Sequence, residues 1–370
     1  DGCIYIVDWY NKIISHNEVP RAHPDRDKTR GRIWRVKTKA AKTEVADFTK
    51  LSTEDIIAML GKEPLGRTHL AWQTLADHKS LQQLEPALHD RLATGKTSAS
   101  ERVQILWLLS AVKSRALDYA ITSSQDASPN VRREAILAPS LHLWGEVDLA
   151  NDFEDLVDDP DPRVRSILIH QLGKSLPSAD SFQELAFEKL LAFAKPSLPG
   201  PTIQSSRGPK QIPVREAYDR EFERFLVRMF LERHPEVVAK FLDSEAAAKL
   251  PVEARVLASL ALEPKASASR VAKLLPQLDR APNDEELLRL AQFPAEPGVG
   301  EALQALLTNE KSRAAVAEKL LAQRTKLDAK QIAPLLESAA REMLAGVQAL
   351  ADSGNDSERL KAGHQGALAL

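Results

Sequence analysis

The densest group of side chains able to do chemistry lies near the N-terminus, where Asp8, His16, His23, Arg26, Asp27 and Arg30 fall within 23 residues. Imidazole titrates nearest neutrality, so His16 could serve as a base or a ligand, and guanidinium groups suit an anion. On that reading Asp8, His16, Arg26, Asp27 and Arg30 line a substrate or cofactor cleft, or a junction loop, at the end of a sheet. The competing reading is a long surface loop tied down by Asp–Arg pairs. A metal centre needs three convergent ligands, and His16 with His23 in one loop falls short of that, so no metal is expected. His170 sits in an apolar run and reads as half-buried packing. His69, His78, His89, His142, His234 and His364 are scattered without ligand spacing. No GxSxG, P-loop or GxGxxG occurs, so no catalytic residue is assigned.

These side chains need elements to hold them. Runs 4–7 and 32–36 are rich in β-formers and bounded by turn residues, which predicts a strand, a long polar loop and a strand. Such a unit is too small to be stable alone. Residues 37–51 form a Lys/Thr/Ala-rich connector. Eight basic residues lie between Arg26 and Lys42, but the stretch includes a strand with alternating faces and reads as a solvated connector.

From residue 52 the punctuation is helical. Ser52 with Asp55 resembles a capping box, and Asn283 with Glu286 and Asp328 with Gln331 also look like helix starts. Pro213, Pro235 and Pro251 sit where a first turn tolerates a missing N–H. Val103, Leu106, Trp107 and Ser110 fall on one face of a helical run. No alternating strand is expected after residue 51. Asp126, Pro129, Val131, Arg132 and Ile136 recur 33 residues later as Asp159, Pro162, Val164, Arg165 and Ile169. Asp begins a turn, Pro opens a helix, Val and Ile face a neighbour, and Arg lies along the groove. Stacked helix pairs of the HEAT or armadillo-like kind, an α solenoid, are the expected fold: mainly α, a right-handed superhelix with a short N-terminal strand pair. Residues 195–214, rich in Pro, Gly and Ser, read as a hinge between a helical-repeat region at 52–194 and a second helical half at 215–370.

The whole-chain numbers narrow the function. The chain has 370 residues, 43% of them apolar, and a formal charge of −2, so a large core is possible and nucleic-acid coating is not expected. No apolar run is long enough to span a bilayer. Cys3 is the single cysteine, which excludes an internal disulfide, a four-cysteine zinc site and a CxxCH haem attachment. The sequence opens inside a strand pattern, and a fragment or processed product is therefore expected.

Residues 1–36, through Asp1, Gly2, Cys3, Tyr5, Asp8, Trp9, Tyr10, Asn11, Ser15, His16, Pro24, Arg26, Asp27, Arg30, Gly31 and Trp34, resemble the last β-propeller blade of large bacterial membrane-bound dehydrogenase proteins of planctomycete and verrucomicrobial type. Asp47 to Ser52 and the stretch from Phe222 to Arg255 are more weakly similar to the same family. The resemblance implies a propeller followed by HEAT-like repeats and a cytochrome c domain, acting on a sugar-like or alcohol substrate outside the cytoplasm. Haem c would belong to that downstream domain, and this chain would hold no cofactor itself. Asp8, His16 and Arg26 match polar positions of the blade loop. The expected role is a scaffold joining a dehydrogenase module to an electron-transfer module, with those modules as partners in cis. Two alternatives remain: a propeller-dehydrogenase fragment whose loop 8–31 lines the active site, and a free-standing HEAT adaptor that binds a protein.

Overall fold

The computed structural model describes residues 3–8, 12–13, 19–27, 29–39, 47–62, 64–77, 80–112, 115–139, 148–177, 183–208, 211–309, 312–352 and 356–369. It is mainly α-helical, with two short antiparallel strand pairs among the described residues. Two compact units divide the chain, residues 1–142 and 143–370.

In the first unit, β1 (Ile4–Asp8) pairs with β2 (Arg32–Val36), with Ile6 opposite Trp34. Helices α1 (Thr53–Met59), α2 (Leu65–Ala76), α3 (Leu81–Ala93), α4 (Ala99–Leu109), α5 (Ala116–Ser123) and α6 (Pro129–Leu137) follow. Ser52 caps α1 by accepting from the Asp55 N–H at 3.1 Å. The reciprocal bond of a true capping box is replaced: Asp55 accepts from the Ser52 hydroxyl at 2.8 Å. The connector is shorter than the sequence suggested, because residues 47–51 form a 3-10 turn whose Phe48 enters the core of this unit. Helix α4 is central, packing on α2, α3, α5 and α6. It therefore buries Ile105 and Leu109 as well as Leu106, beyond a single apolar stripe. Tyr119 donates to Glu85 at 2.7 Å and ties α5 to α3. Burial, reinforced by that carboxylate, pushes the phenol up to about 12.

The second unit contains α7 (Leu149–Asp152), α8 (Pro162–Ser175), α9 (Gln183–Leu191), α10 (Glu216–Leu231), α11 (Pro235–Leu242), α12 (Glu245–Lys249), α13 (Val252–Leu260), α14 (Pro264–Leu274), α15 (Asp284–Ala291), α16 (Val299–Thr308), α17 (Arg313–Ala322), α18 (Ala329–Ala351) and α19 (Asp356–Ala369). Most contacts join helices close in sequence: α8 with α9 and α10, α13 with α14, α14 with α15 and α16, α17 with α18 and α19. This is the packing logic of helical repeats, in which each pair hides its apolar stripe against the next. Asn283 and Glu286 form the complete reciprocal capping box at α15.

The internal repeat is reproduced atom for atom at its turns. Asp126 accepts from the Ser128 N–H at 2.7 Å, and Asp159 accepts from the Asp161 N–H at 2.8 Å. Pro129 and Pro162 open α6 and α8. Val131, Ile136, Val164 and Ile169 are buried. Arg132 donates back to the carbonyl of Asp126, as Arg165 does to that of Asp159. The arginine thus serves its own turn in both copies.

Residues 195–214 depart from the no-strand reading. They hold a hairpin of β3 (Thr202–Gln204) and β4 (Gln211–Pro213), with Ile203 opposite Ile212. Three-residue strands are too short to show alternation in sequence. Pro213 accordingly ends a strand, and α10 starts after Arg215, whose φ of 58° is unusual for a non-glycine residue. Two helices from before and after the segment, α8 and α10, pack directly on each other, so the segment is a connection inside one unit. Arg207 is exposed beyond β3. Limited trypsin digestion is expected to cut there first, with the two fragments co-eluting on size exclusion because α8 and α10 hold them. First cleavage within a helix, such as at Arg165, or separation of the fragments without denaturant, would contradict this packing.

Candidate functional site

Among the described residues, the loop singled out in sequence brings Arg26, Asp27 and Arg30 to one cleft and leaves Asp8 apart from it. Asp8, at the end of β1, accepts from the Trp34 indole N–H at 2.9 Å and pairs with Arg32 at 3.2 Å. Arg26 donates to the carbonyls of Val19 at 2.7 Å and Pro20 at 3.1 Å. Asp27 accepts from the Thr29 and Arg30 N–H groups, each at 3.1 Å, and pairs with the Arg30 guanidinium at 2.8 Å. The Thr29 N–H and neighbouring donors hold the Asp27 carboxyl below the usual carboxylate range. His23 accepts from the Asp25 N–H at 3.2 Å. An open cleft of about 460 Å³ is lined by Lys12, His23, Arg26, Asp27 and Arg30, without Asp8. His16, Trp9 and Tyr10 lie outside the described residues. Asp8 thus bonds to β2, while Arg26 bonds to Val19 and Pro20 and Asp27 to Thr29 and Arg30.

The strand pair carrying this loop is unusual in another way. Ile4, Tyr5, Ile6, Val7, Ile33, Trp34 and Val36 are all exposed, on both faces of the two-stranded sheet. Side chains alternate faces along a strand, so apolar exposure at consecutive positions means that neither face is covered.

Sequence reasoning missed a buried ionic ladder in the second unit. Arg165 of α8 donates to Glu223 of α10 at 2.7 Å. One residue on, Arg224 donates to Glu253 of α13 at 2.9 Å and to the Lys195 carbonyl at 2.7 Å. Glu253 also accepts from Arg280 at 2.8 Å, and Arg280 reaches Glu286 of α15 at 2.7 Å. Signs alternate along the series, and Glu223, Arg224, Glu253 and Glu286 are buried. Its hydrogen bonds to Glu286, then to Glu253, push the Arg280 guanidinium still higher. Arg289 is also buried, where it donates to the Ser267 hydroxyl and to the carbonyls of Leu260 and Leu262. Burial lowers the Arg289 guanidinium from its ordinary value. The available signal was an Arg or Glu interrupting the apolar stripe of successive helices, with no local clue to the partner.

A second cleft, of about 370 Å³, opens beside this ladder and is lined by Asp158, Arg165, Lys195, Leu198, Asp219, Arg220 and Glu223 among others. Two of its cations are engaged: Lys195 meets Asp158 at 2.7 Å, and Arg220 donates to the Pro196 carbonyl at 3.1 Å. His170 meets the Phe230 ring edge-on at 4.9 Å, and burial lowers its imidazole, which fits a packing role. No group of three metal-ligating side chains is found among the described residues, and no helix there is long and apolar enough to cross a membrane.

Comparison with known proteins adds one sequence match. Residues 1–40 match the model of a domain of unknown function, DUF7133, which covers the strand–loop–strand unit. No curated protein matches the chain. Two crystal structures of engineered proteins, Northeast Structural Genomics Consortium targets OR497 and OR329, are 15% and 17% identical to it. Each covers 86% of this chain, over 98% and 96% of its own length, with TM-scores of 0.27 and 0.19. The chain is therefore similar to a domain of unknown function in its first 40 residues.

Proposed function

We propose that the chain is a helical-repeat scaffold in a multidomain redox protein of the periplasm or cell exterior, joining a propeller dehydrogenase module to a cytochrome c module. The observation that carries this reading is the strand pair β1–β2, apolar and exposed on both faces, beside helical units that close their own cores. A propeller blade is a four-stranded sheet, so two strands bearing this surface are suited to completing one. The match of a family model to residues 1–40 supports treating this unit as a module distinct from the helices.

Haem c does not fit this chain. Its attachment takes two thiols and a histidine in CxxCH, and Cys3 is the single cysteine. The isolated chain is expected to give no haem stain after denaturing electrophoresis and no turnover of alcohols or sugars with an artificial electron acceptor. Turnover above a heat-killed control, from protein free of host dehydrogenases, would sink the scaffold reading.

Deleting residues 1–36 tests the blade reading directly. The helical units should stay folded, with melting shifted by only a few degrees, and aggregation should fall as the exposed apolar strands are removed. Unfolding of the helices on deletion would make the strand pair an integral cap of the helical array.

A further inference from the structure

His170 packs into the contact between α8 and α10 with nothing beside it to balance a charge. Its ring meets that of Phe230 at 4.9 Å and nearly at right angles, and Phe230 itself is buried. The imidazole is half-buried and makes no hydrogen bond or ion pair among the described residues.

Two cations stand at the same place. The Arg233 guanidinium, just past the end of α10, lies over the Phe230 ring at 5.1 Å, and Lys174 is one turn along α8 from His170. Burial first, then Lys174 and Arg233, hold the imidazole below its ordinary value. Helices α7 and α9 and the 3-10 turn Glu154–Asp158 also pack on α8, but among the described residues no carboxylate acts on the imidazole. Glu154 and Asp158 take Lys189 and Lys195 instead, at 2.7 Å each. On the α10 side, Glu223 takes Arg165 and Glu232 takes Arg228.

The contact also has little room to adapt. Three residues on from His170, Gly173 faces the same Phe230 ring so closely that an added β-carbon would lie within 2.6 Å of it. A cation without a partner needs water, and water enters here only if the helices part.

We propose that His170 is an acid-sensitive joint: on taking up a proton it loosens the contact of α8 with α10 and the Arg165–Glu223 bond that crosses it. The unfolded chain takes up this proton near pH 6.5, about the ordinary value for imidazole, and the packed ring takes it up lower. The contact therefore has its full stability above about pH 6.5 and loses it as pH falls through the packed value.

Hydrogen exchange of the full chain at pH 7.5 and 5.5, corrected for the intrinsic rate at each pH, tests it. Peptides from α8 and α10 should lose protection by about threefold or more at the lower pH. His170→Phe keeps a ring that cannot take up a proton, and in it this loss should vanish. His170→Gln should behave likewise, which covers the case in which phenylalanine does not fit. The His170 proton resonance, identified by its absence from the variants, should titrate with a midpoint below about 6.5. A midpoint at or above that value, or variants that lose as much protection as the wild type, would overturn the joint.

Discussion

Replacing Glu253 with Ala is expected to lower the melting temperature of the second unit by about 10 °C. Glu253 is the shared carboxylate of the ladder, taking Arg224 at 2.9 Å and Arg280 at 2.8 Å. Arg280 keeps Glu286, but Arg224, only 8% exposed at its side chain, keeps just the Lys195 carbonyl. An uncompensated buried charge costs about 3–5 kcal/mol, which in a unit of this size moves melting by about 2–4 °C per kcal/mol. Surface pairs should behave otherwise. Asp158 and Lys195 are 79% and 44% exposed, and Asp158→Ala should cost under about 1 kcal/mol. The double variant Glu253→Leu with Arg224→Met should recover most of the loss, because the penalty arises from the orphaned partner. Thermal melts and a double-mutant cycle would read this. A Glu253→Ala melt within 2 or 3 °C of the wild type, about one kcal/mol, would mean that water reaches the ladder.

The contrast between what the sequence announced and what it concealed follows the range of the forces involved. Ser52, Asn283 and the Asp–Pro–Val–Arg turns at 126 and 159 were legible because a cap or turn is settled by residues a few positions apart. The hairpin within 195–214 was missed because three-residue strands are too short to show alternation in sequence. The polar loop was legible as a cluster, and Arg26, Asp27 and Arg30 do share a cleft, whereas Asp8 is engaged by β2. The ladder was hidden for the opposite reason: Arg165 and Glu223 are 58 residues apart, and only the packing of α8 on α10 selects the pair. The exposure of Tyr218, Phe222 and Phe225 on α10 was equally hidden, since apolar residues at helical spacing look the same whether they face the core or water.

Packing of α8 on α10 also sets the other large effect. Gly173→Ala should destabilise the second unit by about 2–3 kcal/mol, although alanine is the better helix former by about 1 kcal/mol. Gly173 lies inside α8, buried, and a β-carbon there would come within 2.6 Å of three carbons of the Phe230 ring. Those carbons include the root of the ring, so a small tilt of its far edge cannot make room. The ring is held on other sides too, by the His170 edge at 4.9 Å and the Arg233 guanidinium at 5.1 Å. The helices must therefore separate, which loosens Val164, Leu168, Val227 and Leu231 and strains the Arg165–Glu223 bond crossing the same interface. Gly363 supplies the opposite case in the same unit, since it lies within α19 with nothing within 4 Å of an added β-carbon. There Ala should stabilise by about 0.5–1 kcal/mol from propensity alone. Phe230→Leu placed on Gly173→Ala should recover part of the loss, because the smaller side chain vacates the overlapped volume. Melting curves of the three variants decide the matter: a Gly173→Ala protein as stable as the wild type would show that α8 and α10 do not meet across Gly173 as closely as this geometry requires.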